Sequence, residues 1–184
     1  GVGYGGSCFP KDTKALRYLA EQHGYRLRTV DAAVEVNQLQ KTRLFEKAKK
    51  RFISFRDMRV AVLGLAFKAG TDDLREAPSV DNVRLLLDAG AIVTAFDPAA
   101  GLNFQKHFPQ ATVVDTPEAA LSGASACFIF TEWNEIRALS PATFKRLMRV
   151  PAVYDGRNLY SPLAMREAGV HYESVGRPYG EGRA

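Results

Sequence analysis

From about residue 57 onward, short and nearly all-apolar runs alternate with stretches of helical periodicity, and this rhythm limits the fold more than any other feature of the chain. Arg59–Leu63, Ala91–Phe96, Thr112–Val114, Ala126–Phe130, Ala152–Tyr154 and Tyr172–Val175 read as strands. Helical patterns lie among them at Ser79–Ala89 (closed by Gly90), Pro117–Leu121, Pro141–Met148 and Pro162–Ala168. A strand that is apolar along its whole length must be covered on both faces. Such strands separated by helices therefore predict a largely parallel sheet with helices on each side. The expected class is α/β: a Rossmann-like, doubly wound domain over roughly residues 57–176, with Arg177–Ala184 as a loose tail.

The pattern before residue 57 is helical throughout, which divides the chain into segments 1–55 and 56–184. A first helix is expected from about Asp12 to His23, with Ala15, Leu16, Leu19 and Ala20 at helical spacing and Gly24 as a stop. A longer one is expected over Thr29–Arg51. Val30, Ala33, Val34, Leu44, Ala48 and Phe52 form much of its apolar stripe, and Lys41, Arg43, Lys47, Lys49, Lys50 and Arg51 face mostly solvent. A helix of that length beside one short neighbour needs a partner for its apolar side. The basic run lacks interleaved aromatics on which bases could stack, so a solvated face is the better reading than a nucleic-acid site.

Composition narrows the class further. The 184 residues are 46% hydrophobic and 24% charged, enough for one good core. No apolar run reaches membrane-spanning length and nothing at the amino terminus resembles a signal peptide, so a cytoplasmic protein is expected. A formal net charge of +5 fits a phosphate-bearing small molecule as well as it fits a polyanion. His23, His107 and His171 are scattered, and no Cys, His and carboxylate group has metal-ligand spacing, so no metal site is predicted.

Chemistry concentrates in the opening run, Gly1-Val-Gly-Tyr-Gly-Gly-Ser-Cys-Phe-Pro-Lys-Asp12. Cys8 stands between a glycine-dense loop and a helix start, next to Lys11, a setting that favours the thiolate. The glycines admit a substrate close to the backbone. The residues alone leave two readings open: a nucleophile for covalent catalysis or a structural cysteine. Cys127, inside an apolar strand, reads as a small core residue.

The first strand-to-helix turn of the α/β segment, Gly64-Leu-Ala-Phe-Lys68, lacks the second and third glycines of the dinucleotide fingerprint. Phe67 and Lys68 occupy the place where a pyrophosphate would meet bare backbone. That turn suits a phosphate held by Lys68 and a base flanked by Phe67. Asp97 is either a ribose-binding acid or, with Pro98 following, a turn residue. Ligands of such folds gather beyond the carboxyl ends of the strands. There stand Phe67 and Lys68, then Thr131, Glu132 and Trp133, then Asp155, Gly156 and Arg157. Arg157 is either a bidentate diphosphate ligand or half of an ion pair with Asp155 or another acid. Trp133 reads as core or rim packing.

Three of these segments carry a family resemblance. Gly3-Tyr-Gly-Gly-Ser-Cys-Phe-Pro-Lys-Asp12 resembles the catalytic-cysteine segment of the nucleotide-sugar dehydrogenases. Gly64-Leu-Ala-Phe-Lys68 with Thr71-Asp-Asp-Leu-Arg-Glu76 resembles their nucleotide-binding stretch, and Tyr154-Asp-Gly-Arg-Asn158 their second uridylate-contacting loop. Pro10 and Asp155-Gly-Arg-Asn158 fit the UDP-glucose branch. The resemblance implies NAD-dependent, four-electron oxidation of UDP-glucose to UDP-glucuronate through a thiohemiacetal and a thioester on Cys8. Asp12 would assist Cys8 or the hydrolytic water, Gly1, Tyr4 and Gly5 would line the sugar site, and Lys11 and Arg75 would contact NAD. Phe67, Lys68 and Arg157 would bind the nucleotide. It also implies a homodimer built on the Thr29–Arg51 helix. The family's amino-terminal NAD-binding domain, and the lysine, asparagine, threonine and glutamate of its other catalytic loops, would precede Gly1. The chain is thus expected to be a fragment, inactive alone. Other readings are a dehydrogenase of GDP-mannose or an N-acetylated UDP-sugar, and a non-catalytic UDP-binding or dimerisation module.

Overall fold

A computed structural model describes residues 1–177. Three helices come first: α1 (Cys8–Gln22), α2 (Arg28–Lys41) and α3 (Arg43–Lys49). The chain then alternates through β1 (Arg59–Leu63), α4 (Pro78–Asp88), β2 (Ile92–Phe96), α5 (Gly101–His107), β3 (Thr112–Val113), α6 (Pro117–Leu121) and β4 (Ala126–Ile129). It continues through α7 (Asn134–Arg137), α8 (Pro141–Leu147), β5 (Ala152–Asp155), α9 (Pro162–Glu167) and β6 (His171–Ser174). All strand pairs are parallel and the order is β3-β2-β1-β4-β5-β6. This is the doubly wound order, with its reversal between β1 and β4. The Rossmann-like expectation is met. Arg177 donates to the Tyr160 carbonyl at 3.1 Å; the rest of the expected tail lies outside the described residues.

The alternation of side chains along each strand sorts the core into two layers. On one face Val60, Val62, Val93, Phe128 and Tyr154 pack with Leu44, Phe45, Val83, Leu86 and Phe104. On the other, Ala61, Leu63, Cys127, Ile129 and Val153 pack with Leu121, Phe144 and Met165. Each large buried side chain contributes about 1.5–3 kcal/mol relative to exposure. Prolines open α4, α6, α8 and α9, as their fixed φ favours, and the hydroxyls of Thr116, Ser140 and Ser161 cap the last three.

Two features depart from the sequence reading. The expected Thr29–Arg51 helix is two helices, interrupted at Thr42 (φ −91°, ψ 3°). At this break the Lys41 carbonyl accepts a hydrogen bond from Asn82 Nδ2 at 2.7 Å, and Lys41 itself is buried at 2% exposure rather than facing solvent. Across the segment boundary near residue 55, Leu44, Phe45, Ala48 and Phe55 join the layer under the sheet. α1 and α2 stand further out. They are joined through Asp31, which pairs with Arg17 of α1 at 2.6 Å and with Arg26 at 2.9 Å. Leu16 and Leu19 of α1 and Val36 and Leu39 of α2 are exposed. Of the stripe expected on the long helix, Leu44 and Ala48 are covered by this chain's own sheet, while Ala33 is exposed.

Candidate functional site

The carboxyl ends of β1, β4 and β5 lie side by side: Leu63 pairs with Ile129, and Ile129 with Asp155. Residues 1 and 2 are laid against the end of β5. Val2 is fully buried in the core, and a Cβ on Gly156 would stand 2.5 Å from its Cγ1. The glycine at 156 is thus what admits the opening segment to the end of the sheet. Gly1 follows it closely; a Cβ there would lie 3.7 Å from the Gly156 carbonyl oxygen.

Further along, the loop is pinned by polar groups. Asn37 of α2 holds both ends of the Tyr4 peptide unit, accepting from its N–H at 2.7 Å and donating to its carbonyl at 3.1 Å. Gln40 Nε2 donates to the Gly1 carbonyl at 2.9 Å. The Gly6 N–H donates to the Arg75 carbonyl at 2.7 Å. A Cβ on Gly6 would come 2.8 Å from the Phe67 ring, and one on Gly5 would come 2.4 Å from the Glu76 carbonyl oxygen. Gly5 and Gly6 are therefore packing requirements. Tyr4 meets Phe9 edge-to-face at 4.6 Å.

Cys8 is exposed and is the first residue of α1, not a residue of the loop before a helix starting at Asp12. Its sulfur lies 3.8 Å from Ser7 Oγ. Asp12 is one helical turn further on the same face, paired with Lys11 at 3.3 Å. Cys127 is fully buried, and burial first, then Asp155, pushes its thiol well above the ordinary range. One cysteine is accessible and the other is held as the thiol.

Lys68 is exposed, with its ammonium 5.4 Å from the centre of the Phe67 ring. Arg157 is already engaged: Nε donates to the Phe130 carbonyl at 2.6 Å and Nη2 to the Phe67 carbonyl at 2.8 Å, and Glu132 lies 3.0 Å from Nε. The Glu132 contact is an ion pair with another acid of the kind its sequence allowed. Asp155 is fully buried and accepts from the Arg157 and Leu159 N–H groups, each at 2.7 Å, and from Tyr172 Oη at 2.7 Å.

Arg75 is exposed and forms a two-pronged pair with Asp73, 2.9 and 2.8 Å. That hydrogen bond raises the guanidinium further above its ordinary value, with a smaller contribution from Cys8 nearby, and it lowers Asp73. Glu76 receives Lys41 at 2.6 Å and Lys14 at 2.9 Å, and these hydrogen bonds, Lys41's the larger, hold its carboxyl below the ordinary value.

The turn after β1 is not built for a dinucleotide. In the fingerprint the first N–H groups of this turn are free for a pyrophosphate; here those of Leu65 and Ala66 donate to Asp97 Oδ2 at 2.7 and 3.1 Å. Asp97 also accepts from the Ala99 and Ala100 N–H groups at 2.9 and 2.8 Å and from Trp133 Nε1 at 3.0 Å. Of its two sequence readings, Asp97 is the turn residue. Trp133 is rim packing with its indole N–H satisfied. Among the described residues no group of three or more His, Cys, Asp or Glu is placed to hold a metal ion, and no helix is long and apolar enough to cross a membrane.

The sequence reading did not single out Asn37 or the Lys41–Glu76 pair. Asn37 sits at 6% exposure as a polar interruption of the apolar stripe, and Lys41 sits inside a basic run. Both are explained only by contacts more than 30 residues away.

Comparison with known proteins agrees with this geometry. Residues 61–162 match the UDP-glucose/GDP-mannose dehydrogenase family, UDP binding domain. Residues 1–39 match the central domain of the same family. A UDP-glucose 6-dehydrogenase of Pseudomonas aeruginosa is 44% identical over 97% of this chain, and TuaD of Bacillus subtilis, a UDP-glucose 6-dehydrogenase, is 38% identical over 97%. The chain spans 41% and 39% of their lengths. The structure of a UDP-glucose dehydrogenase from Pyrobaculum islandicum superposes with a TM-score of 0.78 at 34% identity, over 91% of this chain and 37% of that one. With both of its segments matched in chain order, and its fold shared, the chain belongs to the UDP-glucose/GDP-mannose dehydrogenase family.

Proposed function

We propose that this chain is the nucleophile-bearing and nucleotide-binding portion of an enzyme that oxidises UDP-glucose to UDP-glucuronate. The reading rests on the course of residues 1–8: Gly1 and Val2 lie against Gly156 at the end of β5, and the accessible Cys8 opens α1 directly after the glycine loop. The uridine diphosphate lies along those strand ends, its phosphates held chiefly by Lys68 and its base against Phe67. Arg157 ties the turn at Phe67 to the end of β4 and so shapes the pocket, with its guanidinium edge as a secondary phosphate contact. Gly1, Tyr4 and Gly5 line the sugar, held there by Asn37 and Gln40.

NAD, when bound, supplies two successive two-electron oxidations, of the C6 alcohol to the aldehyde and of the thiohemiacetal to the thioester. The turn after β1 does not fit it, since Asp97 takes the N–H groups a pyrophosphate would need. Lys11 and Arg75 are the residues of this chain that face it. Cys8 Sγ adds to the aldehyde carbon to form the thiohemiacetal, and the carbonyl oxygen takes a proton. Water later attacks the thioester carbon, the C–S bond breaks, and the thiolate leaves with the carboxylate released. A thiolate suits both roles, being a strong nucleophile and a good leaving group. Asp12, one turn along α1, orients the attacking group. A second copy of the chain docks on the outer faces of α1 and α2, where Leu16, Leu19, Val36 and Leu39 are exposed.

Calorimetry with this chain tests the nucleotide assignment. Weak heats of binding are expected for UDP and none for NAD; the reverse preference overturns it. In the parent enzyme, Arg75→Ala is expected to raise the KM for NAD by about tenfold or more, the scale of a hydrogen bond to a charged group, while UDP binding to this chain is unchanged. A loss of UDP affinity with a normal KM for NAD would move Arg75 into the nucleotide-sugar site.

A further inference from the structure

Resting on the reading above, we propose that Glu76 is a positioning residue: it joins the helix that carries Cys8 to the loop that carries Arg75, so that nucleophile and cofactor contact are held as one unit. Four separate contacts converge on residues 75 and 76. Glu76 Oε1 accepts from Lys14 of α1 at 2.9 Å, and Oε2 from Lys41 at the α2–α3 break at 2.6 Å. The Arg75 carbonyl accepts from the Gly6 N–H at 2.7 Å. The Glu76 carbonyl lies against Gly5, where a Cβ would approach it to 2.4 Å.

Glu76 adopts φ 54°, a left-handed conformation uncommon outside glycine, asparagine and aspartate. Such a conformation persists only when its surroundings over-determine it. Here each carboxylate oxygen has its own lysine on a different helix. Lys41 is buried, and besides Glu76 the carboxylate near it is Asp81, at 3.9 Å. Lys14, by contrast, is mostly exposed and sits six residues beyond Cys8 on the same helix. The Lys14 arm therefore fixes the setting of α1 with little effect on the core, while the Lys41 arm anchors the clasp. Arg75, one residue away, pairs with Asp73 at 2.8 Å.

A positioning role and a merely structural one differ in what they predict. An exposed ion pair adds little stability, so cutting the Lys14 arm leaves folding unchanged. A small misplacement of reacting groups, however, lowers turnover without changing substrate affinity. In the parent enzyme, Lys14→Met is expected to lower kcat on the order of tenfold with KM for UDP-glucose within about twofold and an unchanged melting temperature. Lys14→Arg keeps the charge and restores turnover. Glu76→Gln cuts both arms and lowers kcat further; should it fail to fold because buried Lys41 is left with Asp81 at 3.9 Å, the Lys14 pair decides. Lys49→Met, which removes an exposed pair with Glu46 and a cation–ring contact with Phe45, leaves kcat alone. Wild-type kcat in Lys14→Met, alongside an inactive Cys8→Ala, overturns the role given to Glu76 and leaves the function intact. Activity in Cys8→Ala overturns the function itself.

Discussion

Replacing Cys8 with alanine in the parent enzyme is expected to end acid formation, with turnover to UDP-glucuronate falling by more than about a thousandfold, the scale on which loss of a nucleophile acts. The two cysteines supply an internal control. Cys8 is exposed at the start of α1. Cys127 is fully buried between β1 and β5, with burial holding its proton in place. Cys127→Ala leaves a small cavity and is expected to lower stability by about 1 kcal/mol, with turnover per folded molecule unchanged. Product analysis by mass spectrometry distinguishes these outcomes. Acid formed by Cys8→Ala at more than a small fraction of the normal rate would remove the covalent mechanism. Loss of turnover in Cys127→Ala instead would place the chemistry inside the sheet, where no substrate reaches.

The α/β segment was readable from its sequence because its signals are local. An apolar run of four or five residues bounded by turn residues has few other uses, and β1, β4 and β5 fall within a residue of where the pattern places them. Proline and hydroxyl residues marked α6, α8 and α9 in the same way. The seven-residue α5 and four-residue α7 were missed, being too short for a period of 3.6 to declare itself. The break at Thr42 was missed for another reason. It is made by Asn82 taking the Lys41 carbonyl and Glu76 taking its ammonium, partners 41 and 35 residues away that no window of sequence contains. The site shows the same contrast. The cysteine loop stands out as a motif, and the failed glycine fingerprint is visible residue by residue. That Asp97 closes the turn, and that Arg157 spends its guanidinium on carbonyls, depends on how strand ends meet in space. Lys41 in particular reads as one more cation in a basic run until its acid is found.

Gly64→Ala is expected to lower stability by about 2–6 kcal/mol. Gly64 ends β1 with φ 80°, and a Cβ there would stand 2.5 Å from Thr131 Cβ, 2.6 Å from Thr131 N and 2.9 Å from its Cα. Relief by rotation is blocked, because two of these are backbone atoms. Nor can the backbone yield cheaply. The Gly64 N–H donates to the Phe96 carbonyl at 2.8 Å, the Phe130 N–H to the Leu63 carbonyl at 3.0 Å, and Thr131 Oγ1 to the Ala66 carbonyl. The cost has two parts, about 1–3 kcal/mol for the left-handed backbone and about 1–3 kcal/mol for the collision. Gly70 separates them, since it has φ 79° and open space around it, so Gly70→Ala carries the backbone part alone. Urea unfolding of the two variants should show a midpoint shift for Gly64→Ala at least twice that for Gly70→Ala. Equal shifts would mean that β1 and β4 can part at their carboxyl ends. The junction at which Arg157 donates to the Phe67 and Phe130 carbonyls would then be softer than the packing around Gly64 implies.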